Sequence, residues 1–349
     1  MWLENPIFRE DMEYIAGADF IPWKKLRGKT LLITGATGLI GFNLISALAY
    51  KNLKQGMPLT ILALVRDENK ARERFAEILA EGAPLKWLVG DLEHIPPVTE
   101  PIDYIIHGGS PTASRYFAEH PVETIRMNLS GAASLLDMAR EKEVESFLFL
   151  SSMEVYGSLH REEKVSEDHE SFVNTMNPRS SYPEVKRMVE AMCSSYAAEY
   201  KVPAKVLRLT QTFGAGVRKE DNRVYAQFMR SAMAGEDIIL LTKGGTRRSY
   251  LYTADAVAAI LTVLLKGENG EAYNAANEAT YCSIKEMAEL VAGIGKVNVR
   301  VKESNESKKL YPAELYMNLD VGKLQGIGWQ VKWELSEMFK RMFSTCEQE

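Results

Sequence analysis

The run TLLITGATGLIGFNLISALAY, residues 30–50, constrains this chain more than any other stretch. An apolar strand ends at Thr34, Gly35, Gly38 and Gly41 follow, and the helical pattern Phe42–Tyr50 comes next. Gly35 allows a tight turn, Gly38 lets a pyrophosphate approach the backbone, and Gly41 permits close packing of helix on strand. The free N–H groups at the helix start favour an anion there. Thr37, Leu39 and Ile40 belong to the same turn. A triphosphate loop is excluded, because Gly28-Lys29-Thr30 precedes the strand and position 23 is Trp.

The rest of the first two-thirds repeats this alternation. Strand-like runs occur at Thr60–Val65, Leu85–Val89, Ile102–Ile106, Ser146–Leu150 and Ala204–Leu209. Helical periodicity lies between them at Asn69–Leu79, Pro121–Lys142 and Pro183–Tyr200. The expected fold is α/β, a Rossmann-like doubly wound parallel sheet with a smaller C-terminal substrate lobe. Residues 1–27 read as a helical extension on the spacing of Ile7, Met12, Ile15 and Phe20. Residues 28–212 read as the NAD(P)-binding domain and 213–349 as mainly the substrate lobe, with a soft boundary and interleaved segments. Within that lobe the pattern predicts helices at Val224–Gly235, Asp255–Leu265 and Ser283–Ala292, and a hairpin over Ile238–Tyr252.

Composition excludes other classes. With a net charge of −5 and only short basic runs, the chain has no nucleic-acid footprint. No apolar stretch reaches the ~18–20 residues of a membrane span. The start, MWLENPIFREDMEY, lacks the basic-then-apolar plan of a signal peptide, so a cytoplasmic location is expected. Three cysteines and five histidines without ligand spacing predict no metal site and no disulfide framework.

Tyr182 and Lys186 stand four residues apart at a helix start and share one face. A neighbouring ammonium stabilises a phenolate, so the pair suits proton transfer, and Lys186 suits a ribose as well. Ser151, Ser152 and Glu154 follow a strand ending at Leu150, the sheet edge where ligands bind. Ser152 suits a hydrogen bond to Tyr182 and a substrate hydroxyl; Glu154 suits acid or base work. After the second strand, Arg66 matches a 2′-phosphate and Asp67 the ribose hydroxyls, so NAD is expected and Arg66 keeps NADP open.

Taken together these motifs resemble the extended short-chain dehydrogenase/reductase family, in its nucleotide-sugar epimerase/dehydratase branch. The resemblance rests on TGATGLIG, GDL at Gly90–Leu92, DYIIHGGSP from Asp103, SSMEVYG, YPEVK, RLTQTFG from Arg208 and RRSYLYTAD from Arg247. It implies that Asp91 and Leu92 lie by the adenine and that His107, Gly108, Gly109, Ser110 and Asn128 line the cofactor channel. It also implies that Ser110, Ser152, Glu154, Tyr182, Gln211 and Arg248 meet the substrate. A homodimer through Pro121–Lys142 and Pro183–Tyr200 is implied too.

Within the branch the wording is most similar to UDP-glucuronate decarboxylases, through GSPTASRYFAEHPVETIRMNLSG and RSSYPEVKR. It departs from the branch at Gln211, Arg66, Pro183 and Val185. The 4,6-dehydratases carry an Asp where this chain has Met153, which cannot donate a proton. Decarboxylation through a 4-keto sugar is therefore expected, with 4-epimerase and 4-keto-sugar reductase as alternatives. A non-catalytic nucleotide-sensing scaffold is disfavoured by the intact Tyr182–Lys186 pair.

Overall fold

Runs such as Leu31–Ile33 and Ile61–Val65 are apolar at consecutive positions and need cover on both faces of a sheet. The computed structural model, which describes residues 4–111, 114–218, 220–303 and 314–346, provides that cover. Along the chain, α1 (Pro6–Gly17) precedes β1 (Lys29–Thr34), α2 (Leu39–Gln55), β2 (Leu59–Val65), α3 (Glu68–Arg74) and α4 (Ala76–Ala80). Then come β3 (Leu85–Val89), β4 (Tyr104–His107), α5 (Ser114–Glu119), α6 (Pro121–Glu141), β5 (Ser146–Ser152) and β6 (Lys164–Val165). Next are α7 (Ser181–Tyr200), β7 (Ala204–Leu209), β8 (Gln211–Phe213), α8 (Val224–Met233), β9 (Ile238–Leu240) and β10 (Arg247–Tyr252). Last come α9 (Thr253–Lys266), β11 (Ala272–Ala275), β12 (Asn277–Ser283), α10 (Ile284–Gly295), β13 (Val299–Val301), β14 (Tyr316–Leu319), α11 (Gly322–Gly326) and α12 (Leu335–Cys346).

Seven strands form one all-parallel sheet in the order β11-β7-β5-β4-β1-β2-β3. The order reverses between β1 and β4, which opens a crevice at their carboxyl ends. Leu32, Phe147 and Phe149 pack beneath α6 and α7, whereas Leu31, Ile33 and Leu148 join the core with α1, α2 and α9. A second sheet, β12-β10-β14-β6 with β8 on β10, stands beyond the crevice. No helix among the described residues is long and apolar enough to cross a membrane.

Three local features are decided by long-range packing, and the first of them corrects an expectation. The Ile238–Tyr252 hairpin does not form: β9 pairs with β13, and β10 pairs with β12, β14 and β8. A short apolar run specifies a strand but not its neighbour. The helix expected at Asp255–Leu265 is α9, and it packs on β5, β7, α1 and α2 of the main sheet. Residues 253 to 265 are all buried, and a helix covered all round belongs at the centre, not in a peripheral lobe. The chain then completes the main sheet with β11, while β6 has already left for the second sheet, so the two parts interleave.

The third concerns the N-terminal extension, which is part of the core. Phe8, Met12 and Ile15 are fully buried on α1. Beside them Asp11 accepts from Arg341 of α12 at 2.6 Å and from the Tyr252 hydroxyl at 2.8 Å. Arg341 also donates to Glu10 at 2.9 Å and to the Ile7 carbonyl at 3.1 Å. Burial pushes the Asp11 carboxyl up to about 6 despite Arg341, which measures how dry the site is. Arg341→Met would leave that carboxyl buried without its cation. Urea denaturation should then show a loss of ~3–5 kcal/mol; a loss below about 1 kcal/mol would contradict the buried-pair reading.

Candidate active site

The crevice floor is backbone packed on backbone. Gly35 has φ +71°, and a Cβ there would lie 2.5 Å from the Gly108 carbonyl oxygen. A Cβ at Gly41 would lie 2.3 Å from the Gly35 oxygen and 2.8 Å from Ala36 Cα. At Gly38 the nearest atom is the Gly35 oxygen at 3.3 Å, and this residue is exposed. Gly35 and Gly41 are thus demanded by the fold, while Gly38 leaves room for an outside molecule. Gly38 is the N-cap of α2 without a side-chain cap, so first-turn N–H groups around Leu39, Ile40 and Gly41 remain available. Arg218 donates to the Thr37 carbonyl at 3.1 Å and brings the chain after β8 to this turn.

β4 supplies the adjoining wall. Thr34 Oγ1 accepts from the Gly109 N–H at 2.9 Å and lies 2.8 Å from His107 Nδ1. Burial, with Lys186 second, drives His107 down to about 3, so its ring is neutral. Asn128 of α6 donates to the Thr124 carbonyl at 2.7 Å, and its buried Oδ1 has no partner, as is true of His107 Nε2. A glycine cradle, a free helix N-terminus and an unpartnered buried acceptor fit a dinucleotide.

Other expected contacts are differently engaged. Asp67 caps α3 by accepting from Lys70 N at 3.1 Å, which occupies the carboxylate expected at a ribose; Arg66 is exposed. Asp91 accepts from Glu93 N and His94 N at 2.9 and 2.8 Å, closing its own turn, and Leu92 packs against Gly109 and Gly131. Ser110 lies part-buried beside Pro111. Ser151 turns to the α7 face, where its hydroxyl is given to Glu190.

Residues from six elements converge at the opposite wall. Tyr182 and Lys186 of α7 are buried, and Phe117 of α5 stacks on the phenol ring at 4.9 Å and 14°. Ser152, at the end of β5, lies close enough to the phenol to pull its titration down and accepts from Glu154 N at 3.2 Å. Glu154 sits on the short turn Met153–Tyr156, within the charge fields of Arg248 and Arg179. Arg248 lies on β10, two residues before Tyr250, which pairs with Gln211 at the start of the β10–β8 register; its buried Nε has no partner among the described residues. Arg179, three residues before Tyr182, and Arg223, facing Tyr182 from the start of α8, escaped the motif reading. Arg223 has no signal in the local sequence, because a loop and α8 bring it there.

Electrostatics reverse one expectation. Burial, then the Glu154 carboxylate, pushes the Tyr182 phenol above its ordinary range, against the pull of Ser152 and Arg223. The ammonium expected to lower it lies 5.6 Å from the ring centroid and is not among the influences on the phenol. Burial likewise raises Glu154, against Arg248 and Arg179, and lowers Lys186 to about 7, against Glu190. In each case dryness favours the neutral form.

Comparison with known proteins fits this arrangement. Residues 31–276 match the model of the NAD dependent epimerase/dehydratase family. The chain is 28% identical over 268 residues to UDP-glucuronic acid decarboxylase 1 of Danio rerio, covering 76% of this chain but 60% of that longer protein. It is 26% identical to dTDP-D-glucose 4,6-dehydratase of Homo sapiens, covering 92% and 91% of the two chains. The crystal structure of UDP-glucose 4-epimerase from Thermotoga maritima superposes with a TM-score of 0.74 at 19% identity, covering 91% and 99%. That last likeness is one of fold.

The glycines separate two roles. Gly41→Ala should lower the melting temperature markedly, since the methyl meets backbone. Gly38→Ala should change it little yet weaken NAD binding, measured calorimetrically, by at least about tenfold, or ~1.4 kcal/mol. Equal NAD affinity in the folded Gly38→Ala protein would refute the cradle.

Proposed function

The chain belongs to the NAD-dependent epimerase/dehydratase family, and from that premise we propose that it decarboxylates a nucleotide-linked uronic acid of the UDP-glucuronate type. The observation that carries this reading is Glu154, beside Tyr182 and Ser152 and within the charge fields of two guanidinium groups, Arg248 and Arg179. Two cationic groups near the acid suit a site that receives a carboxylate as well as a diphosphate. The residue before Glu154 is Met153, buried, its sulfur 3.3 Å from Thr210 Oγ1. A second acid for eliminating water is missing from that position.

Bound NAD would supply a hydride acceptor that returns the hydride within the same cycle; Gly35, Gly38, Gly41 and Asn128 would hold it. Tyr182 Oη takes the proton of the sugar C4 hydroxyl, with Ser152 beside the same phenol. Because Tyr182 is raised in the protein alone, the positive charge needed to release its proton comes from Lys186 and the occupied site together. With C4 a ketone, the C5 carboxylate belongs to a β-keto acid. The C5–carboxyl bond breaks, carbon dioxide leaves, and the electron pair remains as an enolate. Glu154, raised by burial against the pull of Arg248 and Arg179, is the acid–base group beside Tyr182 that suits relaying a proton to C5.

Gln211 and Arg248 are assigned to the substrate's phosphates and acid group, and Arg66 to the cofactor's ribose edge. With Asp67 spent on capping α3, Arg66 also supports NADPH use by a 4-keto-sugar reductase as a second reading. A homodimer is part of the proposal, supported by Val122 and Ile125 of α6 and Met188 of α7, which stay exposed on the two paired helices.

Incubating the purified protein with UDP-glucuronate, UDP-glucose and dTDP-glucose, each with NAD, and weighing the products is decisive. Loss of carbon dioxide from UDP-glucuronate alone is expected. Loss of water, an unchanged mass with a new sugar, or stoichiometric NADPH consumption would each replace the reading. Tyr182→Phe should cut turnover by at least about 100-fold while NAD binding stays within about twofold, or ~0.4 kcal/mol.

A further inference from the structure

One helical turn beyond Lys186 lies a carboxylate that the proposed chemistry leaves unused. Glu190 follows Lys186 by four residues and shares its face of α7. It accepts from Arg208 of β7 through Nε at 3.2 and 3.1 Å and through Nη2 at 2.7 Å, and Ser151 of β5 donates to it as well. The side chains of Arg208 and Glu190 are only 15% and 12% exposed. Arg208 Nη1 is held in turn by the Tyr156 hydroxyl and the Glu167 carbonyl, both at 2.8 Å, and Tyr156 donates to Asn274 of β11 at 2.7 Å. The carboxylate is therefore pinned from two strands, β5 and β7, and its Arg208 partner is held in turn.

Lys186 has no such partner at its own head. Its Nζ donates to the Leu150 carbonyl at 2.9 Å and lies 4.5 Å from the Phe149 ring centroid. The titratable and charged groups around it are few. From α7 come Tyr182, Glu190 and Cys193, and from β4 the neutral His107. Arg208 stands behind Glu190 on β7, and Glu154 and Arg223 face Tyr182. From α6, Asp137 and Arg140 meet Tyr196 and Tyr200 at the far end of α7. Glu190 is the acid in this set that acts on Lys186.

We infer that Glu190 is a positioning residue, a pinned counter-charge one turn from Lys186 that, with Glu190 on Ser151 and Lys186 on the Leu150 carbonyl at the end of β5, favours the charged head of Lys186 beside Tyr182. The inference rests on the proposed function only in giving Lys186 a part in the chemistry. Burial alone drives Lys186 toward the free amine, and Glu190 is the first influence opposing it. Glu190 and Arg208 also line a cavity of about 540 Å³ whose walls include neither Tyr182 nor Lys186. Glu190 thus acts through Lys186 and not on the substrate.

Lys186 is cationic below its pKa and loses that charge as pH rises through it, so removing Glu190 should move the loss to lower pH. The direct measurement is competitive acetylation with acetic anhydride across pH, followed by mass spectrometry of the Lys186 peptide. In Glu190→Gln the titration of Lys186 should fall by about one unit, a tenfold change in the ammonium/amine ratio. Arg208→Gln, which removes the cation that dilutes Glu190, should shift it upward, and Glu190→Asp should restore most of the wild-type position. The alkaline limb of kcat should move in the same directions with KM for the nucleotide sugar within about twofold, or ~0.4 kcal/mol. An unmoved Lys186 in folded Glu190→Gln, or shifts of one sign in both variants, overturns the inference. Should Glu190→Gln not fold, an upward shift in Arg208→Gln with Glu190→Asp near the wild-type position supports the counter-charge, and an unmoved Lys186 in Arg208→Gln refutes it. If UDP-glucuronate is not turned over, the acetylation result stands and the failure belongs to the substrate reading.

Discussion

Backbone laid directly on backbone at the exit of β1 is the contact on which the rest of this molecule depends. Gly41 seats α2 against the Gly35 carbonyl, and Gly35 seats the turn against Gly108 at the end of β4. A single methyl at either joint would meet main-chain atoms at 2.3–2.5 Å, too near to be absorbed by a side-chain rotation. This contact fixes the height of the crevice floor. The end of β5, two strands from β1, can then present Ser152 and Glu154 to Tyr182.

Dryness is the second constraint, and it acts with opposite sign on acids and bases. Burial raises the phenol of Tyr182 and the carboxyl of Glu154 and lowers the ammonium of Lys186. Each side chain would be inert if burial were the whole account. Every one of them, however, has an opposing charge supplied from another element or another turn. Arg223 serves Tyr182, Arg248 and Arg179 serve Glu154, and Glu190 serves Lys186. In a medium of low dielectric these partners weigh more than they would in water. The chemistry is thus set as much by the surrounding ring of charges as by the motif residues.

Much of this was legible beforehand because it is local. The glycine turn needs only its flanking strand and helix, and the Tyr182–Lys186 pair needs only helical spacing. Ser152 is placed by the end of its own strand. What escaped depends on partners distant in the chain. Ser151 was read with Ser152, yet strand alternation sends it to Glu190. Asp67 was free for a ribose until it capped α3. The phenol was expected to be lowered by its neighbour, but spacing reports proximity and not the cost of leaving water.

Local sequence therefore determined the α/β alternation, the parallel sheet with its turn at Gly35–Gly41, and the placing of Tyr182 and Lys186 on one helix face. Each follows from short-range sterics or from a repeat of two or 3.6 residues. Tertiary structure alone decided that β10 pairs with β12, β14 and β8, that α9 belongs beneath the main sheet, and that α1 is locked to α12 through Asp11 and Arg341. It also decided which way each buried group titrates. Strand neighbours, burial and hydrogen-bond partners are properties of residues up to 334 positions apart, and no local pattern encodes them.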